Sequence, residues 1–419
     1  MRSRLFWYPL VAAATFFITI LAAGNRSAVT MFIVPFEKEF GWSAATISVA
    51  IAIGIALFGI MGPFAAALMN RFGVRRTVCT ALVLLALSSL LSIRMTASWQ
   101  LIVLWGFVSG VGTGGVGLAL GATIANRWFE QRRGLVMGLF SAANATGQLI
   151  FLPIFAHVIA WDGWRPCALL IGLLCLIAAP LFALVVRDRP RDVGLPKFGN
   201  MVLEPVAGHG GNPFTGALGT LRVCLRSRDF WLLGGSFAIC GASTNGLIGT
   251  HLVPACGDHG IAATTAAGLL CAMGVFDLIG TTASGWLSDR FDSRWLLCIY
   301  YGLRGISLLF LPAAFGAGVL GLPAFAVFYG LDWIATVPPT LKLANASFGV
   351  ERGAVTFAWI FCMHQVGASV AAYGAGATRT ALGTYDPAFI ISGGLCIAAA
   401  LLVLLIGRKP RPVAAVATA

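Results

Sequence analysis

Apolar residues in this chain come in long runs, not in the alternating or three-to-four spacing of half-buried elements. Twelve runs stand out, at 7–33, 45–69, 77–97, 99–124, 134–160, 165–186, 230–254, 264–287, 295–315, 319–343, 353–378 and 387–407. Each has roughly the ~20 residues that cross a hydrocarbon core of ~30 Å as an α-helix. Short polar stretches separate them. The pattern predicts an all-α integral membrane protein with twelve transmembrane helices, called spans 1–12 below. One polar interval is much longer. Residues 187–229 are rich in Pro, Gly and Arg, and apolar periodicity returns only near residue 217. The expected domains are therefore a six-helix bundle at 1–186, a cytoplasmic connector at 187–229 with one short surface helix near its end, and a second bundle at 230–419 with a short tail.

Composition agrees. The chain is 58% hydrophobic and 10% charged, with a mean hydropathy of +0.89, too few charges to cover a soluble domain. Span 1 is too long for a signal peptide. The net charge of +13 invites a nucleic-acid reading, so its distribution matters more than its sum. Of the 28 basic residues, 22 fall at the termini (Arg2, Arg4, Arg408, Lys409, Arg411) or in the connections after even-numbered spans. The opposite connections hold only Lys38, Arg94, Arg165 and Arg379. This asymmetry places both termini in the cytoplasm of an inner (plasma) membrane protein and removes nucleic acid as a partner. The ten cysteines lie mostly within spans and form no C-x-x-C, which suits small packing residues and predicts neither metal nor cofactor. Many of the 51 glycines also lie inside spans, where they allow close helix approach.

The chain repeats itself at an offset of 219 residues. Asn70, Arg71 and Phe72 meet Asp289, Arg290 and Phe291, and Arg75 meets Arg294. Ala125 and Asn126 meet Ala344 and Asn345, Phe129 meets Phe348, and Pro35 meets Pro254. Chance apolar similarity does not fix charged loop residues at one constant offset, so two duplicated six-helix halves follow, the architecture of a secondary transporter.

Gly285, Asp289, Arg290 and Arg294 are similar to the G-x-x-x-D-R-x-G-x-R signature of the major facilitator superfamily. The first copy departs from it, with Ala66 for the glycine and Asn70 for the acid, while Arg71, Gly73, Arg75 and Arg76 remain. Asn70, Arg71, Arg75, Asp289, Arg290 and Arg294 are thus candidate gating-loop residues, binding the partly negative cytoplasmic ends of neighbouring helices. A narrower resemblance, to the branch of monocarboxylate transporters and oxalate/formate antiporters, rests on Phe40-Gly41-Trp42-Ser43, Gly62-Pro63, Arg127-Trp128-Phe129, Arg132-Arg133-Gly134 and Gly163-Trp164-Arg165. It implies small anionic substrates moved with a proton or by exchange.

Ionisable groups inside spans are costly and mark function by default. Five stand out: Arg26, Asp277, Arg304, Asp332 and His364. Arg26 on span 1 is the expected anchor, since a guanidinium offers paired donors to a carboxylate. Arg26-Ser27 also resembles the branch's span-1 lysine followed by serine. Snorkelling to the interface is the rival. Asn25 beside it, Asn245 at the same place in the second half, Asn144 and Gln148 on one face of span 5, Tyr329 and His364 complete the candidate substrate set. The interhelical hydrogen bond is the alternative for these polar residues. Asp277 matches the branch's span-8 aspartate, but Thr281 stands where its arginine is expected. An Asp277–Arg304 pair is expected, either structural or coupling. Asp332, before Pro338-Pro339 on span 10, is the first candidate for proton coupling, ahead of Asp277. The function these residues predict is a monomeric, proton-coupled transporter of a small organic anion, working by alternating access and surrounded by membrane lipid. Efflux of toxic compounds and a non-transporting sensor stand as alternatives. No metal cluster or nucleophile elbow suggests an enzyme.

Overall fold

The computed structural model describes residues 5–202, 213–317 and 321–407. The basic termini, Arg2, Arg4, Arg408, Lys409 and Arg411, lie outside the described residues, as does 203–212 of the connector. Every expected span is built mainly of helix over its described residues. Span 1 is Trp7–Met31, span 2 Ala44–Phe72, span 3 Val74–Ser92 and span 6 Arg165–Val185; spans 8 and 9 are Ala263–Arg290 and Ser293–Gly316. Among the described residues nine helices are long and apolar enough to cross a membrane. The other three predicted spans are 5, 7 and 10. Span 5 is one helix, Arg133–Asp162. Span 7 widens into a π segment, Ala242–Ile248, between Arg228–Gly241 and Gly249–Asp258.

Span 10 breaks into Gly321–Asp332 and Val337–Phe348. The sequence suggested that Pro338-Pro339 bend it, yet the break comes earlier, at 333–336. Pro338 instead lies in the first turn of the second segment, where a missing N–H is harmless. Span 4 breaks at the corresponding place. One helical segment ends at Gly115 and the next starts at Leu118, and 116–117 maps onto 335–336 by the 219-residue offset.

Spans 1–6 and 7–12 form two bundles that meet mainly where span 2 lies along span 11 and span 5 along span 8. Gly59 makes the first approach close, because a Cβ there would collide with Gln365. Near the other end of the same seam, the Ala45 amide donates to Thr380 Oγ1 at 3.0 Å. The connector is not a free loop where it is described. It holds a short 3-10 turn, Pro190–Val193, and returns at Phe198 to accept hydrogen bonds from the Glu130 and Gln131 amides. Tyr8 of span 1 donates to Pro196 O at 2.7 Å and packs edge-on against Trp128 and Phe198. The expected short helix is present as Pro213–Cys224.

Candidate functional site

Span 1 brings Arg26 to the middle of the molecule. Its guanidinium carbon lies 4.6 Å from the centroid of the Phe58 ring on span 2, and Nη2 donates to Asn144 Oδ1 of span 5 at 3.0 Å. Among the described residues no carboxylate lies within ion-pair distance of it. A cation set between an aromatic face and an amide oxygen keeps guanidinium donors to spare. Snorkelling would have turned Arg26 outward; it turns inward to Asn144. Gln148, one turn along span 5, is half-buried.

Two other substrate candidates are engaged in hydrogen bonds between helices. Asn25 is fully buried, donating to Ser89 Oγ at 2.8 Å and accepting from Ser109 Oγ at 2.7 Å. Its amide ties span 1 to spans 3 and 4. Tyr329 is equally buried. Its hydroxyl donates to Ser243 O at 2.8 Å, satisfying a carbonyl in the widened turn of span 7. Asn245 sits in that same turn, half-buried, with its carbonyl accepting from Thr250 Oγ1 at 2.8 Å. His364 is stacked on Phe361, 9° from parallel at 5.5 Å, with Phe237 on its other side at 4.6 Å. One of its ring nitrogens, Nδ1, has no partner among the described residues.

The charges of the second half assemble around the break in span 10. Gly280 of span 8 leaves room for the backbone of Leu331, and Gly330 of span 10 admits the backbone of Met273, so spans 8 and 10 touch main chain to main chain. Arg304 reaches in from span 9. It donates from Nε to Asp332 Oδ2 at 2.7 Å, and from Nη2 to the carbonyls of Asp332 and, at 3.2 Å, Trp333. Its Nη1 meets Cys240 Sγ of span 7 at 2.7 Å. Asp277 does not pair with Arg304 as expected. Its Oδ1 accepts from the Ile334 amide at 2.8 Å and from Thr281 Oγ1 at 2.9 Å. Ser284 donates to Ala335 O at 2.5 Å. The physical reason is the break itself. Interrupting a helix strands carbonyls and amides that hydrocarbon cannot satisfy, and Arg304, Asp277 and Ser284 supply the missing partners. Thr281, found where the branch has an arginine, serves as one of the donors to Asp277.

The gating-loop candidates divide by half. In the first, Asn70 Oδ1 accepts from Arg127 Nη2 at 2.6 Å, and Arg71 lies over its neighbour Phe72. The Arg75 amide donates to Asp188 Oδ1 of the connector at 2.9 Å. In the second, Arg290 lies 3.9 Å over Trp286. Arg294 is buried, bound to Asp292 and to Ile406 O, while Asp289 is exposed and has no partner among the described residues. Sequence reasoning missed Asp188 and Arg127, Phe58, and a pair of arginine–carboxylate contacts at the far ends of the bundles. Arg165 there holds Glu39 in a two-pronged contact at 2.9 and 2.5 Å, and Trp164 Nε1 donates to the same carboxylate at 2.7 Å. With Phe40 stacked on Trp42 and Phe36 edge-on to Trp164, this explains two of the branch motifs as one cap over the first bundle.

A two-bundle membrane fold with interrupted helices and an unmatched interior cation is that of a membrane transporter. The sequence comparison agrees, matching residues 15–371 to the Major Facilitator Superfamily, and the chain belongs to that superfamily. Its relatives include monocarboxylate transporter 13 of Bos taurus, 28% identical over 94% of this chain and 87% of that one. Another is the uncharacterized transporter YcxA of Bacillus subtilis, 26% identical over 89% and 88%. Among solved structures, a bacterial homologue of the human lysosomal transporter Spinster superposes with a TM-score of 0.72 at 14% identity, covering 96% of this chain and 95% of its own. The xylose transporter XylE of E. coli gives 0.71 at 16% identity, covering 95% and 99%.

Proposed function

We propose that the protein moves a small organic anion together with a proton by alternating access, across the cell's inner membrane and as a monomer with both termini cytoplasmic. The observation that carries this reading is Arg26, an interior guanidinium held by Phe58 and Asn144 and matched by no carboxylate among the described residues. The kinship with monocarboxylate transporters supports it. Asp277 is the preferred proton carrier, reversing the order expected from the sequence. Asp332 is committed to Arg304, and the two charges offset each other. Asp277 is bonded only to neutral donors, so its proton is free to come and go. A charged Asp277 opposes arrival of the anion and a neutral one does not, so proton and anion bind with mutual help. Oδ1 also holds the Ile334 amide, so the protonation state is felt at the break in span 10.

Uptake into proteoliposomes tests this. Arg26→Ala should abolish uptake with protein level and folding near wild type, and Arg26→Lys should keep part of it. Asp277→Asn should lose accumulation driven by an inward proton gradient yet keep exchange of labelled for unlabelled substrate, since exchange needs no proton to leave. Full transport by Arg26→Ala would remove the anchor role. Wild-type uptake that ignores the gradient would remove the proton.

A further inference from the structure

The surroundings of Arg26 specify more than a charge. Phe58 lies against the Arg26 guanidinium, its centroid 4.6 Å from the guanidinium carbon, so a carboxylate held on Arg26 sits beside the Phe58 ring. Phe58 is itself met by a ring from the other half of the molecule. Phe361 of span 11 meets Phe58 in a T-shaped contact, 76° between planes with centroids 6.0 Å apart. Behind Phe361 the rings continue through His364 to Phe237. Phe58 is itself fixed from the opposite side, because Gly117 in the break of span 4 would bring any Cβ to 2.9 Å from its Cε2. Phe361 is only half-buried although its helix lies against span 2. Phe58, beside the anchor, is thus buried and held in place, and Phe361, in contact with it, is the ring with surface left to cover.

We infer that Phe361, with Phe58, is a specificity-determining residue that selects carboxylates carrying a flat apolar ring over carboxylates of lactate size. The inference rests on the anion reading of Arg26. The head group binds the guanidinium, and the ring packs on Phe361 in an offset or edge-on arrangement. Phe58 belongs to the first half and Phe361 to the second, so an aryl carboxylate touches both bundles at once. A two- or three-carbon acid held on Arg26 touches only the first. Selectivity and communication between the halves then come from one contact.

Phenylpyruvate and pyruvate form a matched pair of probes, with the same head group and one added ring. In proteoliposomes carrying the full-length protein, phenylpyruvate should show a KM about tenfold or more below that of pyruvate, the upper end of what burial of one aromatic contact supplies. Phe361→Ala should raise the KM for phenylpyruvate about three- to tenfold and leave that for pyruvate within about twofold, whereas Phe361→Tyr should keep wild-type selectivity. Binding to purified protein, followed by thermal shift, reads the same ratio without transport and identifies a variant that fails to fold. Equal KM values for the two acids in the wild type would overturn the inference, as would a Phe361→Ala variant that loses both acids equally. If pyruvate binds and Arg26→Ala removes it while the ring adds nothing, the aromatic selection falls and the anchor stands. If neither acid binds, both fall.

Discussion

The two halves solve the same structural problems with different chemistry. Each interrupts its fourth helix at the same place, 116–117 in the first half and 333–336 in the second. In the second half Asp277, Arg304 and Asp332 gather at the break. Their counterparts by the 219-residue offset are Phe58, Leu85 and Thr113. Phe58 and Leu85 crowd the helix around the first break with hydrocarbon, and the Thr113 hydroxyl turns back to the Ser109 and Gly110 carbonyls of its own helix. A Cβ at Gly117 would meet Phe58 at 2.9 Å, and one at Gly112 would meet Leu85 at 2.8 Å. Four glycines between 112 and 117 let neighbouring side chains and backbones close over the gap. The second half has no glycine between 331 and 336 and must bring polar groups to the stranded amides and carbonyls. The division is one of charge. Among the described residues the first half has one interior cation, Arg26, with no carboxylate within ion-pair distance. The second half has two interior carboxylates, Asp332 paired with Arg304 and Asp277 bonded to neutral donors.

This comparison breaks most sharply at Arg304. It is 1% exposed and Asp332 6%, so removing one partner leaves an uncompensated charge in a dry interior, costing about 3–5 kcal/mol. Arg304→Leu and Asp332→Thr, which copy the first half, should each destabilise the detergent-solubilised protein by that order. The double variant should fold better than either single one, since no lone charge remains. It should still fall short of wild type, because the Trp333 carbonyl that Arg304 serves stays stranded and no glycine lets the chain close. Additive losses in the double-mutant cycle would mean that the residues do not act as a unit.

A smaller effect is expected at the turns between the second and third helix of each half. In the second, Asp292 caps span 9 from within the turn, accepting from the Arg294 amide at 3.0 Å. In the first, the Arg75 amide occupies the matching position, but the capping oxygen belongs to Asp188, brought in by the connector. Position 73 is Gly, with φ +91, and a Cβ there would stand 2.5 Å from Asp188 Oδ2. The connector has taken over a job that the second half does locally. Asp188→Ala should therefore cost about 1 kcal/mol, the value of a helix cap, and Asp292→Ala more, because it also removes the partner of the buried Arg294 side chain; only Asp188→Ala should speed limited proteolysis of the connector. Gly73→Asp should fail to rescue Asp188→Ala, because the backbone at 73 disfavours any side chain. Rescue would show that the borrowed cap is dispensable.

Much of this was legible beforehand. The spans and the duplication rest on run length and constant offset, which burial in a bilayer imposes directly. Arg26 could be picked out because a lone cation in an apolar run is expensive. The partner of Arg304 could not, because three charges on three helices admit more than one pairing and the choice is made by where span 10 breaks. Nothing in the apolar run around Asp332 announces that break; the prolines after it pointed a few residues too far along. The neighbours of Asn25 and Tyr329 were not legible either, because a sequence does not tell which group a hydrogen-bonding side chain will meet. Phe58 and Asp188 carried a usable signal all the same. Each stands out once the halves are laid over each other, Phe58 against Asp277 and the uncapped Gly73 against Asp292.

The smallest expected effect separates contacts within a half from those between halves. Glu39 and Asp258 occupy equivalent positions at the far ends of the bundles, and each is held by an arginine of its own half, Arg165 and Arg379. Glu37, two residues from Glu39, has no such partner among the described residues and instead faces the Arg379–Asp258 pair of the other half. Its surroundings act oppositely to those of Glu39. Hydrogen bonds from Arg165 hold the Glu39 carboxyl below its usual value. Glu39 therefore contributes stability above the unfolded carboxylate pKa of about 4.3, and loses it as pH falls through the lowered value. Burial pushes Glu37 up, against the pull of Arg379, so its charged form is disfavoured at neutral pH and that penalty fades in acid. Thermal unfolding of the two glutamine variants from about pH 3 to pH 8 checks the contrast. Glu39→Gln should be less stable than wild type at neutral pH, by less than about 1 kcal/mol for so exposed a pair, with the deficit shrinking as pH falls past the unfolded value and through the lowered one. Glu37→Gln should be as stable or more stable at neutral pH, with any gain disappearing as the medium is acidified. A loss at neutral pH in Glu37→Gln as large as that in Glu39→Gln would mean that Arg379 outweighs burial, and that the seam between the halves is held at this end by an ion pair.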